Sequence, residues 1–239
     1  MSKNTWFTGK VKLGLALISL VVLLASSPLF GGMLDNVKSP LGKSKDTGSN
    51  VSRNDLDGLY ALCCDADNLL QKSVDLTFNM LANKDELQKM ELRMREANNI
   101  KDPKEKEAAI NKIEQDKAAL VQKYLDEQQI SQKMQSLNAE QRKLLGNAIY
   151  NILLASLKDK DAVEKAQQLT QKIQANPAAS TSYAGDLPKL KDIVTGVPPQ
   201  ADKAVTLGTN LTKVARANKI EVAVPKSSSD PKKEVDPDK

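Results

Sequence analysis

The chain has 239 residues, with 35 lysines and arginines against 30 aspartates and glutamates, and a formal net charge of +5. It contains no histidine and only two cysteines, which excludes His-based catalytic triads, His-containing zinc sites and a disulfide framework. A chain of this length accommodates one medium-sized domain with short appendages.

The amino-terminal segment has the pattern of an export signal. Three lysines and no acidic residue precede an apolar run, Leu13–Ala25, interrupted only by one Gly and one Ser. A basic stretch followed by a short apolar stretch is typical of a secretory signal peptide. Extended to Phe30, the run reaches the lower limit of a membrane-spanning helix. We therefore predict that residues 1–30 are a signal peptide or a membrane anchor. The rest of the chain is then periplasmic or secreted, or anchored to the inner membrane by residues 11–30.

Export changes the argument from charge. Loss of the three amino-terminal lysines lowers the formal net charge from +5 to +2. The remaining lysines are interleaved with carboxylates, as in residues 101–117, which is typical of a solvated helix face. Nucleic-acid-binding proteins instead cluster their basic residues. We expect an envelope protein as partner and no nucleic acid, with membrane contact only through residues 11–30 if they are retained.

The body of the chain is predicted to be helical. Residues 31–54 are rich in Gly, Ser, Lys and Pro and are expected to form a flexible linker. From Asp55, a predicted N-cap, apolar residues recur at steps of three and four. The fold class is therefore predicted to be all-α, a multi-helix bundle over residues 55–217. Residues 218–239 are expected to be extended or disordered; a short strand over 219–224 was the other possibility there.

Turn signals divide the first half of the bundle. Asn83 and Asp102–Pro103 are predicted to begin helices, the second of them continuing to about Ser136. A heptad seam within residues 110–124 spans two heptads, too few to establish a coiled coil. Asn138 begins the most apolar helix and forms a predicted capping box with a Gln three residues later.

The second half is predicted to contain further breaks. Asp159 or Asp161 is expected to begin a new helix, and residues 178–185 are expected to form a loop. A short helix should stop at Gly196, and Pro198–Pro199 should open the last helix.

A five-residue motif precedes the apolar helix. Leu137–Gln141 reads L-N-A-E-Q and resembles the L-T-x-x-Q motif of small periplasmic chaperones and stress sensors of the Spy and CpxP type, with Asn138 where that motif has Thr. The capping box accounts for the same residues, and no family is assigned on this resemblance.

The two cysteines are adjacent, Cys63 and Cys64. Neighbouring side chains on a helix point about 100° apart, so these two cannot bridge each other. Cys63 falls on the apolar stripe and is predicted to be buried. Cys64 lies beside it and is the candidate for an intermolecular disulfide in an oxidising compartment, which leaves a homo-oligomer open. The alternative is that both are packing residues.

The remaining residues suggest surfaces rather than chemistry. Met90, Met94 and Met134 are a candidate partner-contact surface, with ordinary core filling as the alternative. No catalytic, cofactor-binding or metal-binding constellation is evident. We expect a non-enzymatic envelope protein acting through protein–protein contacts, as an adaptor, assembly factor or chaperone-like accessory protein. The alternative is a ligand-binding bundle with a pocket lined by Tyr60, Tyr124 or Tyr150 and Tyr183 at its mouth.

Overall fold

The computed structural model of the chain describes residues 51–125 and 129–235. The predicted signal peptide or anchor and nearly all of the predicted linker lie outside these residues. The described part is a helical bundle, as predicted, with no strand in it. Its helices are α1 (Arg53–Leu81), α2 (Lys84–Asn98), α3 (Pro103–Leu125), α4 (Gln129–Ser136), α5 (Ala139–Ala175), α6 (Pro177–Ser182) and α7 (Leu187–Ala217).

Three helices begin with capping boxes, in which the N-cap side chain and the third helical side chain each bond to the other's backbone. The boxes at Asn83 and Asn138 confirm the predicted starts of α2 and α5. The first helix begins earlier than predicted, because Ser52 is its N-cap. Asp55, predicted to be the cap, is the third residue of the box, and its carboxylate accepts the Ser52 N–H at 2.9 Å.

The predicted helix start at Asp159 or Asp161 is wrong, because α5 continues without a break to Ala175. No Pro or Gly lies between residues 147 and 175, and the apolar stripe keeps the same phase beyond Asp161. The aspartates therefore lie inside the helix. The residues that continue the buried stripe are Ala162, Ala166, Leu169 and Ile173.

Two further boundaries differ from prediction. Residues 178–185 are predicted to form a loop, but α6 includes residues 178–182 of this segment. The Asn176 side chain caps the helix by accepting the N–H groups of Ala178 and Ala179. Pro198 and Pro199 lie inside α7 rather than at its start. Each proline removes one backbone donor, yet Val197 and Ala201 on either side are buried on the same face. Core packing therefore carries the helix through the proline pair.

The core is formed by α1, α5 and α7, with the α2–α3 pair against α1. A first apolar cluster joins the carboxyl half of α1 to the amino half of α5 and the carboxyl half of α7. A second joins the opposite halves of the same helices. It follows that α5 runs antiparallel to both α1 and α7. Fully buried members of the first cluster include Phe78, Met134, Leu145, Ile149 and Leu211, and of the second Leu56, Leu59, Ile173, Leu190 and Ile193.

Residues 218–235 form neither helix nor strand, but they lie against α5. Lys219 has a φ of 60°, the left-handed conformation that turns the chain away from the end of α7. Ile220 and Val222 are buried in the first cluster. Of the two alternatives predicted for residues 219–224, a short strand or an extended coil, the structure shows the extended coil. Residues 225–235 have neither helix nor strand and residues 236–239 lie outside the described part, so the predicted disorder after Pro225 stays a prediction.

Candidate functional site

The C-terminal segment is a strap that runs along α5 and returns. Its outward leg, residues 220–226, starts where Glu221 lies over Gly146, and its tip, residues 227–230, reaches Asp161 through Ser228. The return leg, residues 231–235, comes back to Asn151 and then Asn147. The distance fits an extended chain: α5 rises about 22 Å between Gly146 and Asp161, and seven extended residues span about 23 Å.

Two asparagines of α5 hold the return leg by its backbone. The Asn151 Nδ2 donates to the Lys233 carbonyl at 2.8 Å, and its Oδ1 accepts the Lys233 N–H at 2.8 Å. One turn earlier, the Asn147 Nδ2 donates to the Glu234 carbonyl at 2.8 Å. One side chain thus satisfies both backbone groups of Lys233, which is what a neighbouring β-strand does for an extended chain.

Tyr150 lies between these asparagines and contacts side chains of the strap. The Lys233 ammonium lies 5.3 Å from the centre of the Tyr150 ring, a cation–π arrangement. The Tyr150 hydroxyl faces the Asp230 carboxylate, and burial together with this carboxylate raises the pKa of Tyr150. We call Asn147, Tyr150 and Asn151 the strap-binding face.

The two legs are held differently. The outward leg buries Ile220, Val222 and Pro225, and Arg216 donates to the Val222 carbonyl at 2.9 Å. Residues 231–234 of the return leg are exposed. A hydrogen bond contributes about 1 kcal/mol net, which is about what fixing the backbone of one residue costs. The free energy gained from the contacts of the return leg therefore only slightly exceeds the entropy lost in ordering it, whereas the outward leg is anchored in the core.

Sequence reasoning missed the strap-binding face. Asn is a poor residue for a helix interior, because its side chain competes for backbone hydrogen bonds. Two asparagines one turn apart in the most apolar helix were the available signal, and Asn151 is completely buried. A buried Asn needs partners for its carboxamide, and here they come from a segment more than 80 residues away.

The predicted methionine surface lies in the core. Met134 is fully buried and Met90 is 7% exposed. Met94 is partly buried and packs against the same first cluster. The three methionines fill the space between α2, α4 and the central helices. This is the core-filling role that was the alternative to a partner-contact surface.

The helical phase predicted for the cysteines agrees with the structure. Cys63 is 2% exposed, Cys64 is partly exposed, and both thiols are free. Burial, with the Asp159 and Asp67 carboxylates, raises the pKa of Cys63 to about 12. Burial and Asp67 also raise the pKa of Cys64. The intermolecular disulfide through Cys64 stays a prediction.

A polar cluster interrupts the core beside Cys63. Asp159 of α5 is 4% exposed, and its Oδ2 has no hydrogen-bond partner. Burial and the Asp67 carboxylate of α1 raise the pKa of Asp159 to about 7. Asp67 itself accepts a hydrogen bond from Gln200 Nε2 of α7 at 2.7 Å, and burial raises its pKa. Near neutral pH, Asp159 therefore occurs in both protonation states.

A second charged cluster joins α3 to α1. The Lys117 Nζ lies 2.7 Å from Asp75 Oδ1 and 2.9 Å from Glu114 Oε1. The other Glu114 oxygen is buried without a partner, and burial and the nearby Asp75 raise the pKa of Glu114 to about 7. Lys117 lies within residues 110–124, where the heptad seam is predicted. Here it fixes α3 on α1.

The four tyrosines do not line a common cavity. Tyr60 and Tyr183 pack on the second cluster, Tyr124 belongs to the first, and Tyr150 lies under the strap. A recess of about 290 Å³ is lined by other residues, namely Gln135, Arg142, Ala217, Asn218 and Lys219. The predicted pocket requires only some of these tyrosines, and it stays a prediction; Tyr60 and Tyr183 pack on the same cluster.

Other kinds of site were sought in the part of the chain that the structure describes. It holds no group of three or more Cys, Asp or Glu side chains arranged to bind a metal ion. None of its helices combines the length and the apolar character needed to cross a membrane. No protein-family model matches the chain, and neither curated proteins nor solved structures give a match.

Proposed function

We propose that this chain is an exported, non-catalytic protein of the cell envelope that acts by binding extended segments of other proteins. The observation that carries the proposal is the strap-binding face, where Asn147 and Asn151 hold a polypeptide by its backbone. Export is supported by the lysine-flanked apolar run Leu13–Ala25.

Recognition through the backbone suits an adaptor or chaperone-like accessory protein. Main-chain hydrogen bonds provide affinity for any extended chain, while side-chain contacts select among sequences. At this face the only side-chain selection in the described contacts is made by Tyr150, which meets Lys233 and Asp230. A face of this kind accepts many sequences that share an extended conformation.

Export is tested with a reporter that is active only outside the cytoplasm. Residues 1–60 fused to such a reporter should give activity, and a matched fusion with the three amino-terminal lysines changed to glutamate should give much less. An inactive fusion at normal expression contradicts the envelope location.

Binding is tested by photo-crosslinking in the envelope. A benzoylphenylalanine in place of Asn147, in the full chain, should form adducts with other proteins on irradiation. The matched control replaces Lys104, which is exposed at the start of α3, away from α5. Adducts at both positions in equal yield, or at neither, contradict a binding function for this face.

A further inference from the structure

The return leg offers few features of its own for the face to recognise. Three of its contacts are hydrogen bonds between the side chains of Asn147 and Asn151 and the backbone of Lys233 and Glu234. A further contact depends on the identity of a return-leg side chain, since the Lys233 ammonium lies over the Tyr150 ring. What fits here is therefore an extended chain with a cation at one position.

The face does not need the return leg in order to form. Ile149, Ile152 and Leu154, which alternate with the face along α5, are fully buried among the helices. Residues 231–234 are exposed and add nothing to the core. When the return leg leaves, the outward leg stays anchored through Ile220 and Val222, and the face remains on a rigid helix.

We infer that the return leg is an internal occupant of a site for a segment of another protein, and that this site takes extended polypeptides with a lysine or arginine over Tyr150. The inference rests on the proposed function and adds two things to it: the class of segment bound, and its control by displacement. A tethered segment competes at a high effective concentration. A partner segment therefore enters only if it supplies both the backbone groups and the cation.

The test uses a fluorescent synthetic peptide with the sequence of residues 229–239 and the full-length chain. In one variant, Lys233→Pro removes the N–H that Asn151 accepts, which weakens the internal occupant without altering α5. The peptide should bind this variant at least tenfold more tightly than the unaltered chain. Lys232→Pro is the matched control, because Lys232 is exposed and adjacent, and it should bind like the unaltered chain.

Two changes to the peptide test what the face recognises. N-methylation at Lys233 removes the same N–H but keeps the side chain, and should weaken binding at least tenfold. N-methylation at Lys232 should leave binding unchanged. Glu in place of Lys233 should weaken binding several-fold through loss of the ring contact. Equal binding to the Lys233→Pro and unaltered chains, or indifference to methylation at Lys233, would overturn the inference.

The outcome is separable from that of the proposed function. Envelope adducts at position 147 without peptide binding to the Lys233→Pro chain would sink this inference and leave the proposed function standing. Peptide binding without adducts would contradict the proposed function and leave standing what the face recognises in an extended segment. Light scattering tests a further occupant, a second copy of this chain. If the unaltered chain forms a concentration-dependent dimer and Lys233→Pro abolishes it, the site is occupied by a second copy, and the inference that it binds a different protein is overturned.

Discussion

At the scale of single residues, the carboxyl groups of Asp159 and Glu114 tie the stability of the fold to pH. The pKa of each is raised to about 7 in the folded chain, against about 4 when unfolded. The folded state therefore holds protons that the unfolded state has released between about pH 4 and 7. The contribution of these two groups to stability is greatest below this window and is lost as the pH rises through 7.

We expect Asp159→Asn to flatten this dependence. Asn is uncharged at every pH and similar in size to a protonated Asp, so it removes the cost of burying a charge. Between pH 5 and 8, the free energy of unfolding of the unaltered chain should fall by about 2 kcal/mol more than that of the variant. Urea unfolding at the two pH values measures this difference. Asp202→Asn, an exposed change on α7, controls for the loss of one charge. Parallel pH profiles for Asp159→Asn and the unaltered chain would contradict the expectation.

The two thiols should differ in reactivity. Cys63 is shielded by packing, whereas Cys64 is partly exposed, and a thiol must be accessible to react. In the native chain, iodoacetamide should modify Cys64 at least tenfold faster than Cys63, as followed by mass spectrometry of Cys63→Ser and Cys64→Ser. Because both pKa values are raised, both rates should still be increasing at pH 9.

The same variants test the disulfide. Any covalent dimer seen on a non-reducing gel of envelope material should persist in Cys63→Ser and disappear in Cys64→Ser. A dimer that is lost only in Cys63→Ser would show that the cysteine face of α1 opens in the cell.

At the scale of elements, two glycines of the bundle mark close approaches. A Cβ on Gly146 would clash with the backbone carbonyl of Glu221 in the outward leg of the strap. A Cβ on Gly208 of α7 would lie 2.7 Å from the Leu153 Cδ2 of α5. The two contacts differ in kind, because the Leu side chain can rotate whereas the strap backbone must move as a unit. Gly146 is thus the glycine on which the docking of the outward leg depends.

We expect Gly146→Ala to lower the free energy of unfolding by about 1–3 kcal/mol, since it forces the outward leg away from α5. Gly58→Ala is the matched control, because nothing lies within 4 Å of its added Cβ and it sits in the exposed face of α1. That change should stabilise the chain by roughly 0.5–1 kcal/mol. Urea unfolding of both variants measures the difference, and equal effects would show that the strap is not in contact.

The helix boundaries that could be predicted from the sequence are those that nearby side chains determine. Side-chain caps at Asn83 and Asn138 act within three residues, so the starts of α2 and α5 were readable. The boundaries at Asp159 and Pro198 were misjudged because long-range packing carries α5 and α7 through residues that locally favour a break. The contacts of the strap were not anticipated for a related reason. Its return leg is charged and lacks a core of its own, and its order comes from asparagines on a helix distant in sequence.

At the scale of the whole molecule, α5 is the element that unites the fold. It contributes to both apolar clusters and carries the strap-binding face on its amino-terminal half. Substitution of a buried side chain of α5 should therefore lower the stability of the entire bundle rather than of one end of it.

We expect Ile149→Ala to cost about 2–5 kcal/mol, because a fully buried side chain is replaced by a cavity. Leu92→Ala, at a residue that is 57% exposed, should cost far less. Circular dichroism during urea unfolding gives both values. A single shared transition is expected for Ile149→Ala, and a loss below about 0.5 kcal/mol would contradict a central place for this helix.

The strap is the last part of the described chain to be made, since it follows α7. Synthesis proceeds from the amino end at about 5–20 residues per second. The strap-binding face is therefore complete on α5 before residues 231–235 exist to cover it. Every newly made molecule passes through an interval of seconds in which the face is open and has no internal competitor. Under the proposed function, a partner that meets the chain at that moment would bind without displacing the return leg. The time at which the two meet, and not affinity alone, would then decide which occupant the molecule carries.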